Sequence, residues 1–213
     1  DHLVGFPFFV PCYLSQYTFS IHGGPAAVGS LRRYLEHQME PPYFPVDFAA
    51  MKATFKFGYE CPNMHWVGPI QLVPIPLNHP NGGIGYRLDH PMGSISYISD
   101  QEHPSDTVDP AIIEFVRSST VLIHDAQYLP LEKKGSKSGW GHSSWEDAVL
   151  TAKEAGVKQL FLFHHDPVRT EIELIAMLED ARKIFKPTDI AMEKETYKIA
   201  NGYARKAGQE ELQ

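Results

Sequence analysis

Residues 144–166 read SWEDAVLTAKEAGVKQLFLFHHD and contain the pattern that decides the fold. Ser144, followed three residues later by Asp147, loosely fits the capping box of a helix start, with aspartate where glutamate or glutamine is usual. The sequence therefore predicts a helix over 144–155. Residues 159–163 then form a mainly apolar strand, which ends in the polar residues His164, His165 and Asp166. A helix followed directly by such a strand indicates an α/β arrangement.

The same alternation continues outward from this stretch. Further helices are predicted over 29–39, 110–118 and 170–185, and strands over 17–21, 52–60, 70–76, 86–88, 94–99, 120–123, 189–192 and 197–199. Strands come first and later alternate with helices, which predicts sheets with helices packed on their outer faces. Because no linker-like stretch divides the chain, we expect one domain over 1–213, with a frayed polar tail from about residue 205.

Composition excludes several classes of protein. The net charge of −7 argues against a surface built to coat nucleic acid or anionic lipid. The longest apolar stretch, 4–14, is interrupted by Pro7 and Pro11, so no membrane span is expected. Cys12 and Cys61 are the only cysteines, too few for a disulfide framework, which favours a reducing cytoplasm.

Histidine and aspartate residues stand where predicted strands run out into loops. They are Asp1, His2, His79, Asp100, His124, Asp125, His142, His164 and His165. Because neighbouring strands hold their ends within a few ångströms, such side chains can converge on one rim of a sheet. Imidazole nitrogens and carboxylate oxygens suit zinc, manganese or iron. A histidine beside an apolar strand is more often structural than a ligand, so spacing alone leaves both interpretations open.

The order of these segments and the residues they contain resemble the metallo-β-lactamase superfamily, and within it the branch of ribonuclease Z and the cyclic nucleotide phosphodiesterases. Asp1-His2 resembles the end of the first motif, His-x-His-x-Asp-His, and Asn78-His79 resembles the third-motif histidine. Residues 96–100 resemble the strand that carries the metal-bridging aspartate. Asp125 resembles the branch's acidic residue, His142 resembles its extra catalytic histidine, and His164 resembles its last metal ligand.

The resemblance implies a metal-dependent hydrolase with two divalent ions, preferably zinc, with manganese or iron as alternatives. One ion would be held by Asp1, His2, Asp100 and His164. The other would be held by His79 and the shared Asp100, together with two histidines that the motif places ahead of Asp1.

The catalytic roles are also implied by the resemblance. His142 would protonate the leaving oxygen, oriented by Asp125. Strand alternation lets only one of His164 and His165 face the site, and the resemblance favours His164. His103 and His124 are weaker candidates for reaching the substrate.

The implied fold is a four-layer αββα sandwich that is N-terminally incomplete, so strands are expected ahead of Asp1. Only about twenty residues separate His79 from Asp100, and no basic, glycine-rich arm is present. We therefore expect a small phosphodiester such as a cyclic nucleotide, not nucleic acid, as substrate. Two alternatives stay open: a hydrolase of thioesters, lactones or β-lactams, and a non-catalytic binding module. A homodimer is expected by analogy alone.

Overall fold

The computed structural model describes residues 3–23, 29–58, 65–104 and 106–208. The chain divides into two compact units, Asp1–Cys61 and Pro62–Gln213, and the single domain over 1–213 stays a prediction. Within the described ranges, no helix has the length and apolarity needed to cross a lipid bilayer.

The first unit is small and rich in aromatic rings. Among its described residues lie strand β1 (Thr18–Ile21), helix α1 (Leu31–His37), strand β2 (Thr54–Phe57) and short 3-10 turns. β1 and β2 pair in parallel. The core consists of Cys12, Met39 and Met51, with several phenylalanine rings packed around them. Burial raises the pKa of the Cys12 thiol, which is that of a packing residue rather than a nucleophile.

The second unit contains one seven-stranded mixed sheet. Its strands, in sheet order, are β3 (His65–Val67), β4 (Ile70–Leu77), β5 (Gly83–His90), β6 (Gly93–Ile98), β7 (Val121–Asp125), β8 (Gln159–Phe163) and β9 (Thr188–Ile190). β3 to β6 are antiparallel neighbours, whereas β6 to β9 are parallel. Parallel neighbours need a crossover, and helices supply it here.

The described residues of this unit form the helices α2 (Pro110–Phe115), α3 (Pro130–Lys134), α4 (Trp145–Ala155) and α5 (Glu171–Ile184). α4 links β7 to β8 and begins where the sequence predicted, with Ser144 and Asp147 forming a reciprocal capping box. It ends at Gly156, whose φ of 63° is left-handed and costs glycine little. The predicted helix over 144–155 is confirmed.

The sheet has two different faces. Leu122, Leu160 and Leu162 point to the helix face and join one core with residues of α2, α4 and α5. Alternate residues point the other way. There Phe161 packs against Tyr197, with ring centroids 4.6 Å apart. Tyr197 belongs to a hairpin of β10 (Tyr197–Ala200) and β11 (Tyr203–Lys206). The predicted mixed α/β class is confirmed.

Candidate active site

The site residues that the structure describes lie along one edge of the large sheet. β4, β6, β7 and β8 run in the same direction, so their carboxyl ends share that edge. The predicted residues stand at these ends: His79 after β4, Asp100 after β6, Asp125 at the end of β7 and His164 after β8. Such an edge is where open α/β sheets bind ligands. Asp1 and His2 lie outside the described residues.

Asp100 and His164 both have left-handed backbones. Their φ values are 61° and 55°, uncommon for residues other than glycine and costly by about 1–2 kcal/mol each. The backbone N–H of Asp100 is held in place because it donates to Asp125 Oδ2 at 2.9 Å. Asp100 Oδ1 lies 3.5 Å from His164 Nε2. Strained backbones that bring two polar groups together are typical of functional sites.

His79 is positioned by the turn after β4. Its neighbour Asn78 donates its backbone N–H to Gln101 Oε1 at 2.9 Å and its side-chain amide to the Glu102 carbonyl at 2.8 Å. The His79 ring centre is 5.5 Å from that of His142. A Cβ at Gly141 would lie 2.3 Å from His79 Cδ2, and Gly141 has a φ of 92°. Glycine is therefore required at position 141 for the two histidines to approach.

Asp125 is the central residue of the site. It is fully buried, and its Oδ2 accepts hydrogen bonds from His142 Nδ1 at 2.8 Å and the Asp100 N–H at 2.9 Å. Its Oδ1 accepts from the N–H groups of Gln127 at 3.1 Å and Ser143 at 3.2 Å. Two donors on each oxygen use the acceptor capacity of this carboxylate fully. The structure thus brings the predicted pair Asp125 and His142 together.

The electrostatics of His142 favour its protonated form. Burial alone lowers the pKa of an imidazole, but the hydrogen bond and charge of Asp125, with the charges of Asp100 and Glu102, outweigh it and raise the pKa of His142. Tyr128 lies edge-on to the His142 ring, 5.8 Å away. Burial, followed by the charges of Asp166 and Asp125, raises the pKa of Tyr128 to about 12, so the phenol stays protonated at neutral pH.

The donor groups fit a divalent metal ion. Ligand atoms of His79, Asp100 and His142 lie within 4.8 Å of one another, and those of Asp125, His142 and His164 do so too. Two ligands of one zinc ion lie at most about 4.4 Å apart, because Zn–N and Zn–O distances are about 2.0–2.2 Å, so these side chains need only a small shift to hold one ion. Three of the five predicted ligands lie in these two groups, His79 and Asp100 in the first and His164 in the second, and His142 belongs to both. Their assignment as ligands stays a prediction.

His165 differs from its neighbour His164. Both of its ring nitrogens are buried without a well-formed hydrogen bond among the described residues. Burial lowers the pKa of His165, although the backbone groups of Ala126 and Leu162 act in the opposite direction. It belongs to neither of the two ligand clusters found in the described residues, whereas His164 belongs to one. This geometry agrees with the preference for His164.

Glu102 has a role that the sequence analysis missed. Its carboxylate accepts hydrogen bonds from the backbone N–H groups of Gly139 and Gly141, both at 2.7 Å. These two glycines lie in the loop that leads to His142, so Glu102 anchors that loop. No pattern in the sequence signals it, because the partners are 37 and 39 residues away along the chain.

His103 and His124, the weaker candidates for reaching the substrate, form a buried pair. Their exposed fractions are 1% and 0%, and the rings stack with Nε2 atoms 3.2 Å apart. The Asp109 N–H donates to His103 Nδ1 at 2.9 Å. Consequently His103 carries its proton on Nε2 and donates to His124, whose Nδ1 donates to the Asp125 carbonyl at 2.8 Å. Through this last hydrogen bond the pair holds the backbone at the end of β7.

Acidification is expected to destabilise the fold through His103. Burial, followed by the charges of His124 and Lys133, holds the pKa of His103 well below its ordinary 6.5. Below pH 6.5 the unfolded chain therefore binds a proton on His103 that the folded chain does not bind. Stability is full above that ordinary pKa and falls by about 1.4 kcal/mol per pH unit below it, until the folded pKa is reached. Urea unfolding followed from about pH 7.5 to about pH 5 measures this slope.

Two variants control this measurement. His103→Asn is expected to flatten the pH dependence, while His90→Asn, at an exposed histidine of the same unit, is expected to leave it unchanged. An unaltered slope in His103→Asn would contradict the assignment.

Comparisons with known proteins agree with this geometry. A family model described as the beta-lactamase superfamily domain matches residues 1–165. Ribonuclease Z of Clostridium kluyveri is 37% identical over 83 residues, covering 39% of this chain and 27% of the relative. Ribonuclease Z of Thermoplasma acidophilum is 38% identical over 81 residues, covering 36% of this chain and 24% of the relative. The chain thus spans about a quarter of the length of these curated relatives.

A solved structure extends the likeness in fold over almost the whole chain. It is the metallo-beta-lactamase fold protein YhfI of Bacillus subtilis, with a TM-score of 0.64 and 16% identity, covering 96% of this chain and 73% of that chain. At this level of identity the likeness concerns the fold, and it confirms the fold class that the sequence resemblance implied.

Proposed function

Because the chain belongs to the family described as the beta-lactamase superfamily domain, we propose that its site hydrolyses small phosphodiesters with divalent metal ions bound. The observation that carries the proposal is the 2.8 Å hydrogen bond between Asp125 and His142. His142 belongs to both groups of candidate ligand atoms, of which one includes His79 and Asp100 and the other includes His164. Cleaving a phosphodiester requires neutralisation of negative charge and a proton for the leaving oxygen. The cluster offers ligands for the first task and the Asp125–His142 pair serves the second.

We propose that His79, Asp100 and His164, together with Asp1 and His2, would hold the divalent ions, and that Asp100 would contribute to both. Zinc suits this donor set, with manganese or iron as alternatives. When bound, such ions acidify a water molecule and polarise the phosphoryl oxygens. The backbone of Asp100 is held in place by its hydrogen bond to the Asp125 carboxylate, and Asp100 Oδ1 lies 3.5 Å from His164 Nε2, so these two side chains are already close together.

His142 acts as the proton donor. Its Nδ1–H donates to Asp125, which fixes the ring and leaves Nε2 to hold the proton that passes to the leaving oxygen. The raised pKa of His142 increases the protonated fraction near neutral pH. Glu102 acts through His142, because it anchors the loop on which the ring is carried.

The substrate is proposed to be a small phosphodiester such as a cyclic nucleotide. The negative net charge favours it over a long polyanion. The relatives named ribonuclease Z do not support excluding nucleic acid, however. RNA is therefore a competing substrate that the test has to include.

Metal analysis combined with hydrolysis assays tests the proposal. We expect bound divalent metal, turnover of bis(p-nitrophenyl) phosphate, and loss of both on chelation with recovery on adding metal. His79→Ala and Asp100→Ala are expected to lower the bound metal, whereas His90→Ala, at an exposed position, is not. Bound metal without phosphodiester turnover would refute the proposal and favour a thioester, lactone or β-lactam substrate. A faster reaction with RNA than with cyclic nucleotides would refute the substrate assignment.

A further inference from the structure

The loop of residues 135–141 carries two side chains that the proposed hydrolysis does not use, Lys137 and Trp140. This loop joins α3 to His142. The Trp140 side chain is 56% exposed, and the ammonium group of Lys137 lies over its ring, 4.3 Å from the centroid. A cation over the face of an indole is an attractive arrangement. It leaves the rest of the indole open to solvent beside the site.

Trp140 is held in place although it is exposed. Gly139 and Gly141 flank it on both sides, and their N–H groups are bound by the two oxygens of Glu102, each at 2.7 Å. Glu102 in turn follows Asp100 by two residues on the segment after β6. The backbone on both sides of Trp140 is therefore anchored to the same segment that carries a proposed metal ligand.

A continuous row of groups connects Trp140 to the catalytic histidine. The His142 ring contacts Tyr128 at 5.8 Å, and the Lys137 ammonium lies 5.6 Å from the Tyr128 ring and 4.3 Å from the Trp140 ring. The Tyr128 ring is buried, at 2% exposed, whereas Trp140 at the other end of the row is 56% exposed. The row thus leads from the His142 ring to the exposed indole.

The ammonium groups of the neighbouring lysines contact carboxylates, whereas that of Lys137 contacts aromatic rings. Lys133 is buried and paired with Asp147 at 3.0 Å, and Lys134 lies 3.6 Å from Asp106. Lys137 instead lies on two aromatic rings, between the proposed phosphate site and the indole. Its ammonium group therefore provides positive charge beside the site for an anionic substrate, and the indole provides a flat stacking surface.

We infer that Lys137 and Trp140 form a subsite for a nucleobase, so that the substrates are nucleoside phosphodiesters. The inference rests on the proposed function for the position of the phosphate. Bases stack on aromatic side chains with little sequence preference, because every base has a π face. The subsite thus selects for a base without selecting strongly among bases.

Calorimetric titration of the metal-loaded protein with AMP and with ribose 5-phosphate tests the subsite. The two ligands share the phosphate and the sugar and differ in the base. We expect AMP to bind about tenfold more tightly than ribose 5-phosphate, as one stacked base allows. Trp140→Ala is expected to abolish the difference, and Trp140→Phe to keep most of it.

The controls separate this inference from the proposed function. Lys134→Ala should leave the preference for AMP unchanged, whereas Lys137→Ala should weaken AMP binding. Equal binding of the two ligands to the wild-type protein would overturn the subsite, and so would an equal loss for both ligands in Trp140→Ala. Because binding is measured without turnover, a base preference lost in Trp140→Ala supports the subsite even if bis(p-nitrophenyl) phosphate is not hydrolysed.

Discussion

Replacing Asp125 with asparagine is expected to lower kcat by about 10³-fold or more and to destabilise the fold by about 3–5 kcal/mol. The carboxylate accepts four hydrogen bonds, two on each oxygen. An amide presents an NH₂ group in place of one oxygen, so either orientation sets donors against two of the four donors. The His142 ring and the Asp100 backbone are then released, or the turn at Gln127 and Ser143 is. Denaturant unfolding and hydrolysis assays measure the two effects.

Asp109→Asn provides the matched control for this change. Asp109 is the N-cap of α2, and its Oδ1 accepts the Ala111 N–H at 2.8 Å. Asparagine caps a helix as well as aspartate does, so we expect a change of less than about 0.5 kcal/mol and no loss of activity. If Asp125→Asn were as stable and as active as this control, Asp125 would not organise the site.

The sequence predicted those parts of the fold that depend on local rules. α4 and α5 start at Ser144 and Thr170, where each cap is read from four residues. β5 was predicted too short, over 86–88 instead of Gly83–His90, because glycines there indicated a turn. Gly85 lies inside the strand for a tertiary reason: a Cβ at that position would lie 2.7 Å from Ile98 Cδ1.

The residues of the site can be divided in the same way, into those that local sequence patterns predict and those that depend on tertiary contacts. Asp100, Asp125 and His164 could be placed because strand ends are visible in the sequence and the parallel register brings them together. Glu102 and the pair of His103 and His124 could not. Their roles depend on which loop or strand comes near them, and pairs 21 to 39 residues apart leave no periodic signal. A buried histidine and a catalytic one look alike until their partners are known.

Replacing His142 with alanine is expected to lower kcat by about 10²–10⁴-fold for substrates with a poor leaving group, while the bound metal is retained. The physical reason is that an alkoxide needs a proton to leave, and supplying it is the role proposed for Nε2 of His142. p-Nitrophenolate leaves without a proton, so its ester should lose less than about tenfold. The p-nitrophenyl and ethyl esters of thymidine 5′-phosphate differ only in this group, and comparing kcat for the two isolates the proton transfer.

The same variant decides between two roles for His142, because its ring also lies within ligand distance of His79 and Asp100. If His142 were mainly a metal ligand, His142→Ala would lose metal and would slow both esters equally. If it is the proton donor, metal content is unchanged and the ethyl ester alone is strongly affected. The hydrogen bond from His142 Nδ1 to Asp125 fits both roles, because a metal-bound histidine also donates its other ring N–H to a carboxylate, so the metal content and the two rates decide between them. His90→Ala, at an exposed histidine, should change neither the metal content nor the ratio of the two rates.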